Sequence, residues 1–343
     1  MRMTGSFRNV SLALAFVAAA GASRAATPEL IEAAKKEGEV VWYTSQIIDP
    51  LVLRLTDAFK KKYGIQLKPV RANSAEIALR IVNEARSGKY LADIYGGQTT
   101  SEALKKEGLA LKWLPPNIGE IPKEFADPEG YWMGTNFTLM TAAYNTDLIK
   151  PGSEPKTWED FLAPSLKGKM VWGNAVSTSA GAGFVGLVLK VWGEEKGMAY
   201  LRKLAGQDIT GSGGSARQVI DMAIAGEFAV ALQIFPEHAA SSAAKGAPVR
   251  WIPTRPGMAS VISTSGVAAK APHMNAAQLF MEYMISEEGQ IVFRDSLYSP
   301  INPKVASLDK EFAPSANPYV VLTPKEAFTD MPKWFAIFKE LFR

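Results

Sequence analysis

Ser177-Thr178-Ser179 stands directly ahead of Ala180-Gly181 and an apolar helical run, so three hydroxyls meet a helix start. Free backbone N–H groups and the helix dipole favour an anion there, although one terminus contributes only about 0.3–2 kcal/mol. Three other stretches share this make-up: Tyr43-Thr44-Ser45-Gln46, Gly96-Gly97-Gln98-Thr99, and Gly211 to Arg217, which includes Ser215. Micromolar binding needs roughly 8 kcal/mol. Several charge-assisted hydrogen bonds of about 1.5–3 kcal/mol each can supply that if closure of the site desolvates them. Arg217, at the start of its helix and one turn before Val219 and Ile220, is the candidate anion clamp. The plainer reading stands beside each of these: a Ser or Thr ahead of a helix is a cap, and Arg217 is a solvated surface arginine.

Other chemistries fit the residues poorly. The chain has no cysteine, which excludes disulfides, thiolate metal sites and a cysteine nucleophile. Gly211-Ser212-Gly213-Gly214-Ser215-Ala216 spells a dinucleotide fingerprint, but no long buried strand precedes it and no acid follows at the ribose position. The motifs of serine hydrolases, zinc peptidases and phosphate-binding loops are absent. Of the two histidines, His238 follows Pro236-Glu237 at a helix start and His273 lies in a turn. Glu237-His238 is the best pair for a periplasmic hydrolase or isomerase, a reading of another class; the leading expectation is a protein that is not an enzyme and uses no cofactor.

The elements that must position these loops follow from the rest of the chain. Arg2 and Arg8 precede an apolar run from Val10 to Ala20 and then Ser23-Arg24-Ala25, the pattern of a secretory signal cut after Ala25. No later apolar stretch is long enough to cross a bilayer. Lys and Arg total 38 against 34 acids, and the leader holds Arg2, Arg8 and Arg24, so the remainder is nearly neutral. That charge balance gives no reason to expect nucleic acid as a partner. The periplasm is the expected location, and a freely diffusing monomer the expected state.

A 343-residue chain that is 47% hydrophobic exceeds what one core serves. Strand and helix alternate from "EVVWYTS" through "LVLRLTDAFKKKYG", "IQLKPV", the capping-box spacing Asn73-x-x-Glu76, and "LADIYGG" leading into Thr99-x-x-Glu102. This order implies a mainly parallel α/β sheet, whose ligands bind beyond the C-terminal ends of the strands. After extended chain at 131 to 150, the same grammar resumes: a helix from Thr157, a strand at "KMVWGN", helices over 179 to 192 and 196 to 205, a loop and helix, and the strand "EFAVALQIF". Two extended passages, near 134 to 144 and 250 to 264, would carry the chain out of a first lobe and back into it. The expected division is residues 26 to 138 plus 256 to 300 for lobe 1 and 139 to 255 for lobe 2. The tail, 301 to 343, is expected to dock on the body through Trp334, Phe338 and Leu341.

"GEVVWYTSQ", "FKKKYGIQLKPV", "YLADIYGG", "AAYNTDLI", "TWEDFLAPSLKGKM" and "MISEEGQIVFRD" followed by "SPINPKV", in this order, resemble the periplasmic solute-binding proteins of ABC importers. The likeness is greatest to the branch that includes ferric-ion-binding proteins, and it spans roughly residues 38 to 304. It implies a type II periplasmic-binding-protein fold, two α/β lobes joined by two hinge strands over a central cleft, presenting a ligand to an inner-membrane ABC permease. The iron ligands of that branch do not carry over. Ile47 stands where its members have a histidine, Gly97 near their glutamate, and Pro236-Glu237 about where their tyrosine pair falls. Ferric iron wants hard oxygen ligands, and of these only Glu237 could serve. The loop that holds the synergistic anion in those proteins matches Ser177-Thr178-Ser179. The resemblance therefore implies a cleft for a small organic anion and no metal. Phe235 and Tyr43 would pack on the ligand's carbon skeleton and Glu237 would accept from its hydroxyl or amine. A ferric-iron carrier is the alternative within the same fold.

Overall fold

The computed structural model describes residues 26–46, 51–97, 99–173, 180–308 and 319–342. The chain enters through α1 (Pro28–Glu37), whose cap Thr27 accepts from Leu30 N at 3.3 Å, and turns at Gly38 into β1 (Glu39–Thr44). Next come α2 (Leu53–Tyr63) and β2 (Gln66–Arg71). Gly64 ends α2 at φ 75, a left-handed conformation that glycine adopts without a Cβ penalty. α3 (Ser74–Arg86) begins with the expected capping box: Glu76 N donates to Asn73 Oδ1 at 2.9 Å and Asn73 N to Glu76 Oε2 at 3.1 Å. β3 (Ile94–Gly96) leads to α4 (Thr100–Lys106). β1 lies between β2 and β3 and is parallel to both, as right-handed β-α-β crossovers require.

β4 (Met133–Asn145) then runs through both halves of the molecule. Its residues from Met133 to Met140 pair antiparallel with β9 (Met258–Val267). From Thr141 onward its partners are β7 (Val230–Ile234) and β8 (Val249–Ile252). The second half repeats the strand–helix grammar with β5 (Met170–Gly173), α5 (Ala180–Ala205), β6 (Thr210–Ser212), α6 (Ala216–Ile224) and α7 (Pro236–Ala244). α5 is two helices broken at Gly193, where φ is 76 and ψ 169, matching the two helices read from sequence. Two local expectations are corrected. The helix from Thr157 is only a 3-10 turn, Glu159–Leu162, because Pro164 follows at once and cannot continue it. Gly211-Ser212, read as loop, pairs with Trp172 and Gly173 as part of β6.

α8 (Met274–Ile285) and α9 (Glu287–Asp295) return to the first lobe, and Ser286 caps α9, accepting from Gly289 N at 3.2 Å. β10 (Tyr319–Leu322) adds a parallel strand to β9, and α10 (Pro324–Leu341) follows. Among the described residues the sheet order is β2-β1-β3-β9-β4-β7-β5-β6, with β8 on β4 and β10 on β9.

Each lobe has its own core. Trp42, Phe59, Phe280 and Tyr283 anchor the first, with Trp42 edge-on to Phe280 at 5.4 Å and Phe59 to Phe280 at 4.9 Å. Trp158, Trp172, Phe184 and Tyr200 anchor the second, which Trp334 and Phe338 of α10 complete. Asp93, fully buried, ties β1 to the start of α8: its carboxylate accepts from Val41 N at 2.7 Å, His273 N at 2.6 Å and His273 Nδ1 at 2.9 Å.

Candidate functional site at the strand ends

The C-terminal ends of the parallel strands carry Ser45 and Gln46 after β1, Arg71 at the end of β2, Gly97 after β3, and Phe235 ahead of α7. The loops that continue from these ends fall partly outside the described residues, which leave out 47–50, 98 and 174–179. The candidate ligands Gln98, Ser177, Thr178 and Ser179 therefore lie outside the described residues. Gly97 is clamped by its surroundings: its N–H donates to Thr264 O at 2.9 Å, its φ is 132, and a Cβ would lie 2.5 Å from Ser74 Oγ. Only glycine fits there.

A polar track crosses from the first lobe to the second. Gln46, buried at the end of β1, donates through Nε2 to Asn136 Oδ1 at 2.7 Å, and Thr135 Oγ1 donates to the same oxygen at 3.1 Å. One residue on, Phe137 N donates to Ser299 O at 3.3 Å, and Ser299 Oγ donates to Glu237 Oε1 at 3.2 Å. Gln290, fully buried, holds this segment in place: Nε2 donates to Thr135 O and Met284 O, both at 2.7 Å, and Oε1 accepts from Ile301 N at 2.7 Å. Here and beside it Asn136 Nδ2, Gln233 Oε1 and His238 Nδ1 are buried without a partner among the described residues. Gln233, at the end of β7, also has a left-handed φ of 55, a conformation uncommon outside glycine.

The electrostatics of the track are set by burial. Burial pushes the Glu237 carboxyl up to about 7, opposed by its own backbone N–H and by Ser299. Burial, then the Arg217 guanidinium, pushes His238 down, with Asp221 opposing. Burial raises the Tyr298 phenol; the Arg71 charge opposes the rise and the Glu237 charge adds to it. The Arg71 side chain is exposed and makes no ion pair or hydrogen bond among the described residues. Replacing Ser299 by alanine removes the side-chain donor that Glu237 has among the described residues. The substitution is expected to push that carboxyl further up and to lower stability by about 1 kcal/mol at pH 8, where Glu237 is ionised. Urea unfolding at pH 8 and pH 5 checks it; the cost should shrink at pH 5.

Several residues expected in the cleft are engaged elsewhere. Tyr43 is buried under α3, its hydroxyl donating to Glu84 Oε1 at 2.8 Å and its ring covered by the Arg80 guanidinium at 4.7 Å. Strand alternation explains this: Trp42 takes the core face of β1, so Tyr43 takes the opposite one. Ser215 forms the capping box of α6, with Gln218 N donating to its Oγ at 3.4 Å and Ser215 N to Gln218 Oε1 at 2.7 Å. Arg217 is held by Asp221, Nη2 to Oδ1 at 2.6 Å and Nε to Oδ2 at 3.2 Å, while Nη1 donates to Ser242 Oγ at 2.9 Å. Phe235 is half-buried and packs edge-on to His238 at 5.4 Å, while Glu237 turns to Ser299. Adjacent residues on a helix point about 100° apart, which is why Glu237 and His238 find different partners. Among the described residues no group of three His, Asp or Glu side chains is arranged to hold a metal ion.

Residues 54–318 match the family model described as bacterial extracellular solute-binding protein. The chain belongs to that family. This solute-binding protein is 22% identical over 303 residues to the Fe(3+)-binding periplasmic protein of Serratia marcescens, covering 83% of this chain and 87% of that one. Iron-bound HitA from Pseudomonas aeruginosa superposes with a TM-score of 0.73 at 24% identity, covering 89% of this chain and 99% of HitA. AfuA from Actinobacillus pleuropneumoniae, with fructose-6-phosphate bound, superposes at 0.71 with 21% identity, covering 88% and 99%. The solute-binding protein thus has the type II periplasmic-binding-protein fold. The family is one of extracellular solute-binding proteins, and AfuA is itself a periplasmic binding protein.

Sequence reasoning missed Arg71, Asn136, Tyr298 and Ser299. Arg71 had a signal, since it directly follows the strand "IQLKPV" and a cation at that end of a parallel strand faces the ligand side. The other three had none, because they meet Gln46 and Glu237 only through contacts made across the whole chain.

Proposed function

We propose that this solute-binding protein captures a small organic anion, a phosphate ester, phosphonate or carboxylate, between its two lobes in the periplasm. It would pass that anion unchanged to an inner-membrane ABC permease. The reading rests chiefly on Arg71: a guanidinium at the end of β2 without a carboxylate partner among the described residues, whose charge is felt at the Tyr298 phenol. The unpartnered donor Asn136 Nδ2 lies on the adjoining track and can serve the same ligand. Ser45, Gly97, Gln98 and the hydroxyls of Ser177, Thr178 and Ser179 are the proposed further contacts. Arg217 is a contact only if a ligand draws it from Asp221, so Arg71 replaces it as the leading clamp. The phosphate ester in AfuA supports this ligand class.

Calorimetry with fructose-6-phosphate, methylphosphonate and citrate tests the proposal. One class is expected to bind with micromolar affinity, and Arg71→Gln to weaken it by about 10–100-fold, the loss of one or two charge-assisted hydrogen bonds. Absence of binding by all three, or an affinity indifferent to Arg71→Gln, would sink it. The second reading, iron cargo, is favoured by Tyr298, a phenol that feels the Glu237 charge and would join that carboxylate as an oxygen ligand. It predicts a visible charge-transfer band on adding ferric iron that Tyr298→Phe abolishes.

A further inference from the structure

A pocket of about 240 Å³ opens on the first lobe where α2, α8 and α9 meet. Its wall is mainly acidic: Glu120, Glu282, Glu287 and Glu288 face Lys62 and Lys304. Lys62 is paired with Glu288 and reaches over the rings of Tyr63 and Tyr283. Glu120 accepts from Asn302 Nδ2 at 3.0 Å. Glu282 is different. It is buried, no Lys, Arg or His is paired with it among the described residues, and burial alone pushes its carboxyl up to about 7. Beside it, Asn117 Oδ1 and the Tyr283 hydroxyl are buried on the pocket wall without partners among the described residues. A buried carboxyl lacking a cation, next to a buried carbonyl lacking a donor, suits a compact group with positive charge and several N–H donors. An ammonium has both.

Ala26 stands on the same wall, half-buried against the lobe core and one residue ahead of the α1 cap Thr27. In the uncut chain its nitrogen is a neutral amide. Cleavage after Ala25, which the leader pattern predicts, turns that nitrogen into an α-ammonium. We propose that the pocket is the seat of this α-ammonium, so that removal of the leader creates the cation that pairs with Glu282 and donates to Asn117 Oδ1, tightening the first lobe. An α-amino group ordinarily titrates near 7.7–8.0, and a carboxylate beside it raises that value. The ammonium in turn draws Glu282 below the value that burial alone sets, so the stabilisation is present at neutral pH. It fades as pH rises through the raised amine value, and again as pH falls through that of Glu282.

Three chains provide the test: one beginning at Ala26, one with Gly-Ser-Gly placed ahead of Ala26, and the first carrying Glu282→Gln. At pH 7 the chain beginning at Ala26 is expected to melt about 3–6 °C above the extended one, the scale set by pairing a buried charge. Its α-amine, read on the N-terminal peptide by mass spectrometry, should acylate about tenfold more slowly than the extended chain's. Glu282→Gln should restore fast acylation and remove the melting advantage. Should that variant not fold, the comparison of the two unsubstituted chains is sufficient by itself. Equal melting and equal acylation would overturn the proposal, as would an exported protein whose intact mass does not begin at Ala26. So would a free amine such as methylamine stabilising the chain that begins at Ala26, because the pocket would then be open. None of these readouts depends on anion binding.

Discussion

Trp334→Ala is expected to lower the unfolding free energy by about 4 kcal/mol, the usual loss when a large aromatic is removed from a packed interface. Trp334 is buried on α10, and it packs on α5 where Gly186 stands: a Cβ at 186 would lie 2.6 Å from Trp334 Cε2. Phe338 sits over Gly181 in the same way, and Trp172 meets Phe338 at 5.0 Å and Phe342 at 4.5 Å. Polar contacts add to these along the helix. Lys190 Nζ donates to Glu326 at 2.6 and 2.8 Å and to Val321 O at 2.9 Å, and Lys333 pairs with Glu194 at 2.7 Å. These are surface pairs worth at most about 1 kcal/mol each, so the aromatic seats decide. The reciprocal substitution sharpens the test. Gly186→Ala should destabilise the natural chain because the ring has nowhere to go. In the Trp334→Ala background it should be neutral or stabilising by up to about 1 kcal/mol, since alanine is the better helix former. Thermal or urea unfolding of the four chains measures the coupling, and purely additive effects would show that the seat does not exist.

Glu237 gives the largest expected pH effect at the candidate site. Its folded value, pushed up to about 7, lies above its ordinary one of 4.5, so the folded state holds the proton more tightly than the unfolded. Stability from this residue is therefore full below about pH 4.5 and is lost as pH rises to about 7 and beyond, by roughly 3 kcal/mol at most. The informative quantity is the difference between the natural chain and Glu237→Gln, because other carboxyls titrate over the same range. The variant should be the more stable at pH 8 and show a flatter profile, with the two converging near pH 5. Profiles that run parallel from pH 5 to pH 8 would mean that the carboxyl is not buried as described. The same charge bears on cargo: a neutral Glu237 can donate to an anion, whereas its carboxylate repels one, so anion affinity should fall across the same interval.

Much of the scaffold was legible along the chain because it is decided by local chemistry. The Asn73–Glu76 capping box, the Ser286 cap, the Gly64 stop and the break between the two halves of α5 all involve residues within a few positions of each other. Periodicity also marked Trp334 and Phe338 as an apolar stripe that docks. Distance along the chain is what hid the rest. Tyr43 follows the core residue Trp42, and its side was set by which face of β1 met α3, so a residue read as a ligand contact became a buried partner of Glu84. Arg217 looked free in sequence, yet Asp221 one turn on and Ser242 from α7 hold it. Asn136, Ser299 and Glu237 come together only once β4, α7 and the segment after α9 are folded against each other. Hydrogen bonds within one turn can be read from spacing, whereas a buried charge acquires its partner, or its lack of one, only when distant segments exclude water around it.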